Sequence, residues 1–184
     1  MDLTGKCLIA MPGMGDPRFE KSLVFLCSHA PEGAMGLIVN KPLREISFRA
    51  LLDQVKIRPT ADARAMPVHY GGPVEPGRGF VLHSADYTAG AGTMQVPGGL
   101  GMTATLDILD ELARGQGPAR ALFALGYAGW GPGQIEAEIL RNDWLTCDVP
   151  ASLVFAADDG GKWGRALALL GVDPLTLSAA AGRA

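Results

Sequence analysis

The sequence predicts an α+β fold whose strands are joined mainly as hairpins. Short apolar runs of strand length, separated by turns that contain glycine and proline, outnumber the runs with helical periodicity. One of them, residues 22–29, is apolar on both faces, which is typical of a strand in the middle of a covered sheet. Glycine supplies 25 of the 184 residues, about twice its average share, so we expect many tight turns. Hairpins fit this pattern better than βαβ units do.

The composition predicts a single domain that spans residues 1–184. AVILMFWYC residues make up 48% of the chain and charged residues only 19%, so the chain can bury a substantial core and disorder is not expected. No internal repeat and no low-complexity linker divides the sequence.

Three strands and a single helical turn are expected in the first part of the chain. The helical turn begins at Asp16-Pro17, with aspartate as N-cap and proline in the first helical position. Pro31-Glu32-Gly33 separates two apolar runs and predicts a hairpin. Ser47 is the expected N-cap of a helix whose apolar residues recur with helical spacing as far as Val55. The predicted strands cover residues 6–11, 22–29 and 34–39.

The rest of the chain predicts further short strands and three more helices, one of which follows the glycine-rich segment at residues 126–134. Thr105 is the expected cap of the first helix, which Gly115 ends. The pair Asp158-Asp159 favours a turn and helix cap over a cation site, and Gly171 ends the helix that follows. The predicted strands cover residues 68–70, 79–83, 94–96, 101–105, 119–125, 144–148 and 152–155.

The charge of the chain argues against direct binding of nucleic acid. The formal net charge is −3 and the pI is about 5.6, so there is no general attraction to phosphate backbones. The helix after Ser47 offers only Arg49, and the last predicted helix offers only Lys162 and Arg165. We therefore expect no direct binding of duplex DNA.

The N-terminus and the cysteines favour a soluble cytoplasmic protein with no membrane contact. Asp2 precedes any basic residue, the apolar stretch that follows is too short for a signal peptide, and no apolar run reaches roughly 18 residues. Cys7, Cys27 and Cys147 are odd in number and form no CxxC motif, which is typical of a reducing compartment. We expect three free, buried thiols.

Residues 126–134 are the main candidate site, because they concentrate backbone freedom between an apolar run and a helix. The segment predicts a strand end, a tight turn and a helix start, with Pro132 in the first helical turn. Gly126, Gly129, Gly131 and Gly133 allow positive φ and close approach of other groups. Such a junction either binds an anion at the helix N-terminus or serves only to turn the chain.

Phosphate-binding fingerprints are incomplete in this segment. A dinucleotide fingerprint needs glycine where Gln134 stands, and a P-loop needs lysine there. Glu136 and Glu138, in the first helical turns, would repel a phosphate. We therefore favour a tight strand-to-helix junction, with Tyr127 and Trp130 packing or presenting an apolar contact surface, and we expect Gly131→Val to force strained backbone.

Other reactive side chains form weaker patterns. Cys27 and His29 would share one face of a strand, but Cys27 fits a core position better than a catalytic thiolate. His83, Ser84 and Asp86 are too close in sequence to build a triad, since the side chains of neighbours diverge. The three histidines lack the spacing of metal ligands. We assign no metal site and no cofactor.

Four segments carry a resemblance to a known family: Asp16-Pro17-Arg18-Phe19, GAMGLIVNKP at residues 33–42, YGGPV at residues 70–74 and GYAGWGPGQIE at residues 126–136. In order and spacing the chain resembles the YqgE/AlgH family of bacterial proteins along nearly its whole length. The resemblance implies a mixed, mainly antiparallel sheet curled into a pseudo-barrel, with helices packed on the outside. Members often carry the label of transcriptional regulator through an association with alginate production. The resemblance brings no catalytic residues.

The function expected from these observations is that of a non-catalytic binding or regulatory module acting through a protein or small-molecule partner. One alternative is a small-ligand enzyme that uses a glycine-loop pocket, and another is a transcriptional regulator, as the family label suggests. The candidate ligand or partner residues are Gly126, Tyr127, Gly129, Trp130, Gly131, Gly133, Gln134, Asn40, Gly71 and Gly72.

Overall fold

Nine strands form one sheet in the computed structural model, which describes residues 1–181. The strands are β1 (Cys7–Ala10), β2 (Leu23–Ala30), β3 (Gly33–Ile38), β4 (Val68–Tyr70), β5 (Val74–Ser84), β6 (Thr93–Val96), β7 (Leu100–Thr103), β8 (Ala121–Trp130) and β9 (Trp144–Cys147). The helices are α1 (Phe48–Gln54), α2 (Leu106–Ala113), α3 (Gln134–Leu140), α4 (Ala151–Val154), α5 (Asp159–Leu169) and α6 (Pro174–Ala181). Within residues 1–181, no helix is both long enough and apolar enough to cross a bilayer.

The sheet is mainly antiparallel and curls into a half-barrel. Its strand order is β6-β7-β5-β8-β3-β2-β1-β9, and β4 lies off this path as the parallel partner of β8. The curl brings the turn after β6 onto the segment before β1, where a Cβ on Gly5 would lie only 2.8 Å from the Pro97 carbonyl oxygen. The predicted α+β class and the curled, mainly antiparallel sheet are confirmed.

The concave face of the half-barrel holds the largest apolar cluster. Strands from both ends of the sheet contribute to it, with Phe25 of β2 and Met102 of β7 in the same cluster as Leu167 of α5. Helices α4 and α5 therefore close the concave side, and α1, α2 and α3 cover the outer face. Each fully buried leucine or phenylalanine contributes about 1.5–3 kcal/mol, so the alternation of residues between the two faces fixes the strand register.

The predicted interior strand and its hairpin are confirmed. Strand β2 pairs with β1 on one edge and with β3 on the other, and Leu23–Cys27 is buried on both faces. Ser47 caps α1 as expected, because its hydroxyl accepts the Ala50 N–H. Asp158 caps α5 in the same way through the Gly161 N–H.

Several predicted elements are wrong. Residues 152–155 lie in a helical segment rather than a strand, with Pro150 as the N-cap of α4, since a short apolar run is ambiguous between strand and helix. The segment after Asp16 is a hydrogen-bonded turn and not a helical turn. Strand β5 begins at Val74 and contains a bulge before Gly79. The hydroxyl of Thr105 makes no capping hydrogen bond to α2.

The chain crosses over β8 between β4 and β5. Both strands pair with Phe123–Leu125 of β8, so they must occupy its opposite edges, and the connection must pass over the strand. Gly71 and Gly72 are the residues of the connection that lie directly against the β8 backbone. A Cβ on either residue would overlap the backbone of Gly126 or Tyr127, and Gly72 has φ +152°. Gly126, with φ +73°, forms the complementary surface on β8.

We predict that Gly72→Ala lowers the free energy of unfolding by about 3 kcal/mol or more, because a methyl group there overlaps backbone that has no room to move. Chemical denaturation of the purified variant measures the change. Gly77→Ala is the matched control: Gly77 has ordinary φ, and no atom lies within 4 Å of the position that its Cβ would take, so its stability should stay within about 0.5 kcal/mol. Equal stabilities of the two variants would contradict the crossing.

Candidate functional site

The predicted glycine turn is shorter than expected, because β8 continues through Gly126 as far as Trp130. Only residues 131–133 turn the chain into α3. Gly133, with φ 72°, is the N-cap of that helix, so Pro132 precedes the helix instead of lying in its first turn. The side-chain oxygen Oε1 of Gln134 accepts the Gly131 N–H at 3.0 Å. The Gly131 amide is therefore satisfied within the loop by Gln134, the residue that stands where the phosphate-binding motifs require glycine or lysine.

The expected strain at Gly131 is wrong. Its φ lies outside the left-handed region, and the nearest atom to a Cβ there would be Gln134 Oε1 at 3.9 Å. Gly133 instead holds the left-handed backbone that favours glycine.

Glu138 fixes the end of β8. Its Oε2 accepts both indole N–H groups, from Trp130 and Trp144, at 2.8 Å each, and its Oε1 accepts the Gln134 side-chain amide at 3.0 Å. The two indole rings meet edge to face with centroids 6.1 Å apart. One carboxylate thus joins β8, α3 and β9, and it holds the Trp130 indole in place between them.

A cleft of about 640 Å³, here called the inner cleft, opens at the concave side of the sheet. Phe80 and Tyr127 meet edge to face in it, with centroids 5.6 Å apart, and the Arg78 guanidinium lies 5.1 Å from the Phe80 ring centre. Arg78 also contacts Glu75 at 3.5 Å on the exposed rim. The lining residues are Ser28, Glu32, Gly33, Ala34, Met35, Val74, Glu75, Arg78, Phe80, Met94, Met102, Tyr127, Gly129 and Trp130.

A second cleft of about 340 Å³, here called the outer cleft, lies on the other side of the β8 end. Asp16 holds Arg18 through a two-pronged ion pair, with distances of 2.7 to 3.2 Å, and this hydrogen bonding lowers the pKa of Asp16. Phe19 packs edge-on against Trp144 at 5.6 Å. The lining residues are Met14, Gly15, Asp16, Arg18, Phe19, Pro73, Gly129, Trp130, Gln134, Glu138, Asp143 and Trp144.

Asn40 lies apart from the glycine loop and has a structural role. Its Oδ1 accepts the Leu23 N–H at 2.9 Å and its Nδ2 donates to the Lys21 carbonyl at 2.8 Å. These bonds hold the entry to β2, where Lys21 has φ 52°. Asn40 also borders a third cleft of about 670 Å³, here called the Asn40 cleft, which Asp158 and other residues line.

A buried charged network, which has no signature in the sequence, lies beside the Asn40 cleft. Lys162, 1% exposed, donates to the Val39 carbonyl and to Asp159, both at 2.8 Å. His69 directs Nδ1 at the Phe123 carbonyl and Nε2 at Asp159. Both ring nitrogens of His69 therefore lie against acceptor oxygens. Only the Asp159 to Lys162 spacing is visible in the sequence.

Burial and pairing oppose each other in this network. Burial lowers the pKa of Lys162, whereas its hydrogen bond to Asp159 raises it. Burial raises the pKa of Asp159, but hydrogen bonds from His69 and Lys162 outweigh it and hold that pKa below its ordinary value. The ion pair is thereby compensated, and it ties β3, β4 and α5 together.

His29 does not pair with Cys27. Its Nδ1 accepts the Leu3 N–H at 3.1 Å, and its Nε2 lies 2.6 Å from Glu136 Oε1. Cys27 lies in the concave core. The hypothesis of a thiolate and imidazole pair is therefore wrong.

His83 does not activate Ser84. Burial lowers the pKa of His83, and its Nδ1 donates to the backbone oxygen of Ser84 at 2.8 Å. Its Nε2 meets the Thr103 hydroxyl at 2.7 Å. The Ser84 hydroxyl donates instead to Asp86 at 2.6 Å. In the described residues 1–181, no three His, Cys, Asp or Glu side chains are grouped to hold a metal ion.

The candidate residues therefore fall into three sets. Gly71, Gly72 and Gly126 form the crossing over β8, and Asn40 holds the entry to β2. Gly131, Gly133 and Gln134 form the turn into α3. Tyr127, Gly129 and Trp130 line the inner cleft, and Gly129, Trp130 and Gln134 line the outer cleft. Sequence reasoning did not find Phe80, Arg78 or the three methionines of the inner cleft, because they are distant in the chain and carry no motif.

Comparison with known proteins places this fold in context. A family described as AlgH-like matches residues 7–175. The chain is 61% identical over 184 residues to a UPF0301 protein of Cereibacter sphaeroides and 60% identical over 185 residues to one of Ruegeria pomeroyi, and in both cases 100% of each chain is covered. The solution structure of AlgH from Pseudomonas aeruginosa superposes with a TM-score of 0.82 at 38% identity, covering 97% of this chain and 94% of that one. A protein of Corynebacterium diphtheriae, at 21% identity and a TM-score of 0.70, covering 89% of this chain and 84% of that one, shares the fold.

The three cysteines are free and buried, as predicted. Burial raises the pKa of Cys27 to about 12 and that of Cys147 to about 11, and it raises the pKa of Cys7 well above its ordinary value.

We predict that iodoacetamide labels the native protein at pH 8 roughly 100-fold more slowly than the unfolded chain, because the buried thiols carry little thiolate. Mass spectrometry of timed samples measures both rates, and fast labelling of native Cys27 would contradict the burial.

Because burial raises the thiol pKa values in the folded protein, the free energy of unfolding should fall as the pH rises above the pKa of an unfolded thiol. Thiol burial contributes its full stability below the unfolded pKa of about 8.5, and this contribution is lost as the pH rises through the folded values of Cys147 and Cys27, about 11 and about 12. The Cys27→Ala variant should therefore lose less stability than the parent protein between those limits.

We predict that Gly133→Ala lowers the free energy of unfolding by about 1–2 kcal/mol, because alanine must adopt left-handed backbone there. The matched variant Gly131→Ala should change it by less than about 0.5 kcal/mol, since the added methyl group would meet Gln134 Oε1 at an ordinary contact distance of 3.9 Å. Thermal unfolding of both variants measures the difference. A larger loss at Gly131 would mean that this residue carries the strain after all.

Proposed function

The chain belongs to the AlgH-like family, and we propose that it is a non-catalytic binding module whose partner occupies the inner cleft. The observation that carries the proposal is the construction of that cleft. Phe80, Met102 and Tyr127 make an apolar floor at the concave side of the half-barrel, and Arg78 and Glu75 stand on its rim. Its volume of about 640 Å³ lies within the roughly 300–1,000 Å³ of ligand pockets.

The lining favours binding over catalysis. Among the described residues that line the inner cleft, the hydroxyl groups come from Ser28 and Tyr127, and no histidine, cysteine or lysine is present. Each histidine is engaged elsewhere, in bonds to Glu136, Asp159 and Thr103 respectively. Glu32 and Glu75 are the carboxylates of this lining, and neither a histidine nor a cysteine accompanies them there, which supports a partner that is bound and not converted.

A regulatory role of the kind the family label suggests would run through this partner and not through direct binding of DNA. Of the cations on α5, Lys162 is buried and paired with Asp159, so only Arg165 remains for a phosphate contact on that helix. The net charge of −3 supports the same conclusion. Free, buried cysteines support a cytoplasmic setting.

The methionines allow a direct test, because each cleft contains its own reporter. Met35, Met94 and Met102 line the inner cleft, Met14 lines the outer cleft and Met66 lines the Asn40 cleft. The protein is labelled with ¹³C at the methionine methyl groups and titrated separately with the low-molecular-mass fraction and the protein fraction of a cell lysate. We expect one fraction to shift the three inner-cleft methyl signals saturably while the Met66 signal stays unchanged.

Met94→Lys replaces an apolar residue at the cleft opening with a charged one and should abolish the shift of the remaining Met35 and Met102 signals, because binding would then have to desolvate the ammonium group. Leu140→Lys is the control, since Leu140 is 83% exposed on α3 and lines none of the three clefts described above. The proposal is overturned if neither fraction moves the inner-cleft signals, or if only the Met66 signal moves.

A further inference from the structure

The backbone N–H and C=O of Gly129 point away from β3, although Gly129 lies opposite Met35 of that strand. On β3, the Ile38 N–H donates to the Gly71 carbonyl at 2.9 Å, on the side that faces β8. Backbone groups alternate between the two edges of a strand, so Gly36 faces the same way and bonds to its partner Ala128. The next residue of β8, Gly129, must then direct its N–H and C=O to the opposite edge.

That opposite edge of β8 is open. Strand β5 pairs with this edge along the β8 residues from Ala121 to Tyr127. The partner of Tyr127 is Val74, the first residue of β5. Pro73 then leads the chain back over β8, so among residues 1–181 no strand pairs with this edge at residues 128–130. The crossing that fixes the fold thus exposes a short piece of strand edge, and Gly129 in its middle is solvent-exposed.

The two clefts meet at this edge from opposite faces of β8. Tyr127 belongs to the concave cluster and Ala128 and Trp130 to the outer one, and Gly129 lines both clefts. Side chains of an added strand alternate between faces. Successive side chains of a segment laid along Gly129 would therefore enter the inner and the outer cleft in turn.

The charges of the two clefts favour a basic segment. The inner cleft has two carboxylates, Glu32 and Glu75, against Arg78. The outer cleft has Asp16, Glu138 and Asp143 against Arg18. Asp143 also pairs with Arg141 at 3.0 Å, which leaves Glu138 as the carboxylate of this cleft with no ion pair among the described residues. Arg18 is already held by Asp16, and Arg78 already contacts Glu75. Both clefts therefore keep an excess of negative charge, while the floor of the inner cleft is apolar.

We propose that the open edge of β8 at Gly129 receives an extended peptide segment of a protein partner, in which apolar side chains that enter the inner cleft alternate with lysine or arginine side chains that enter the outer cleft. The Gly129 N–H and C=O pair with the backbone of that segment, as in other strand additions at sheet edges. Glycine at this position leaves room in the inner cleft beside the edge, since a Cβ there would already lie 3.3 Å from Tyr127 Cε2 on the same face of β8. This inference rests on the proposed binding function and names its partner class.

The test uses a fluorescein-labelled peptide of alternating lysine and leucine, seven residues long, titrated by anisotropy against the full chain. Binding should slow hydrogen exchange of the Gly129 amide and shift the Met35 and Met14 methyl signals together. Gly129→Val should weaken binding about tenfold, because its side chain would occupy the part of the inner cleft beside Tyr127 that a peptide side chain must enter. Gly77→Val, at an exposed glycine outside both clefts, is the matched control and should bind as the parent protein does.

Two further peptides separate the parts of the proposal. A version methylated on alternate backbone nitrogens cannot pair with a strand edge and should bind about tenfold more weakly, and alternating glutamate and leucine should bind more weakly still. Equal binding of the methylated peptide, or unchanged Gly129 exchange, overturns the edge pairing, and equal binding of the acidic peptide overturns the basic preference. If no peptide binds while the low-molecular-mass fraction shifts the inner-cleft methionines, this inference fails and the proposed binding function stands.

Discussion

The close passage of Gly71 and Gly72 over Gly126 is the contact on which the rest of the structure depends. It allows β8 to take β4 on one edge and β5 on the other, so that strands distant in sequence join one curled sheet. The Gly71 N–H bonds to Leu125 and its carbonyl accepts the Ile38 N–H, which also sets β3 beside β8. Larger side chains here would separate the backbones, and the half-barrel would lose its central strand.

Hydrophobic periodicity and caps predicted the α+β class, the hairpin of β2 and β3 and the helices after Ser47 and Asp158, because these depend on neighbours in the chain. The extension of β8 through Gly126 was not predictable, since glycine with positive φ is as typical of a turn as of a bulge. The strand expected at residues 152–155 is a helical segment for a similar reason, because a run as short as Leu153-Val154-Phe155 fits either state.

The candidate site was predictable only in part. The sequence shows which residues are neighbours in the chain, but it does not show which distant residues the fold brings together. Tyr127, Gly129 and Trp130 stood out by composition and do line clefts. Asn40, Gly71 and Gly72 stood out equally, but their contacts with Leu23 and the β8 backbone are structural. The pairing of His69 with Asp159 across 90 positions leaves no trace in spacing.

The buried polar groups explain why a chain with three histidines shows no catalytic arrangement in the part that the structure describes. Each imidazole is held between partners that use both ring nitrogens, and a leftover donor or acceptor in the core would cost about 1–3 kcal/mol. Backbone pairing is incomplete at the end of β8, where the routing of Pro73 leaves Gly129 with β3 on one edge and no described strand on the other. The histidines are thus engaged inside the fold while the edge of β8 at Gly129 is exposed between two clefts, and this contrast is why we propose binding at that edge.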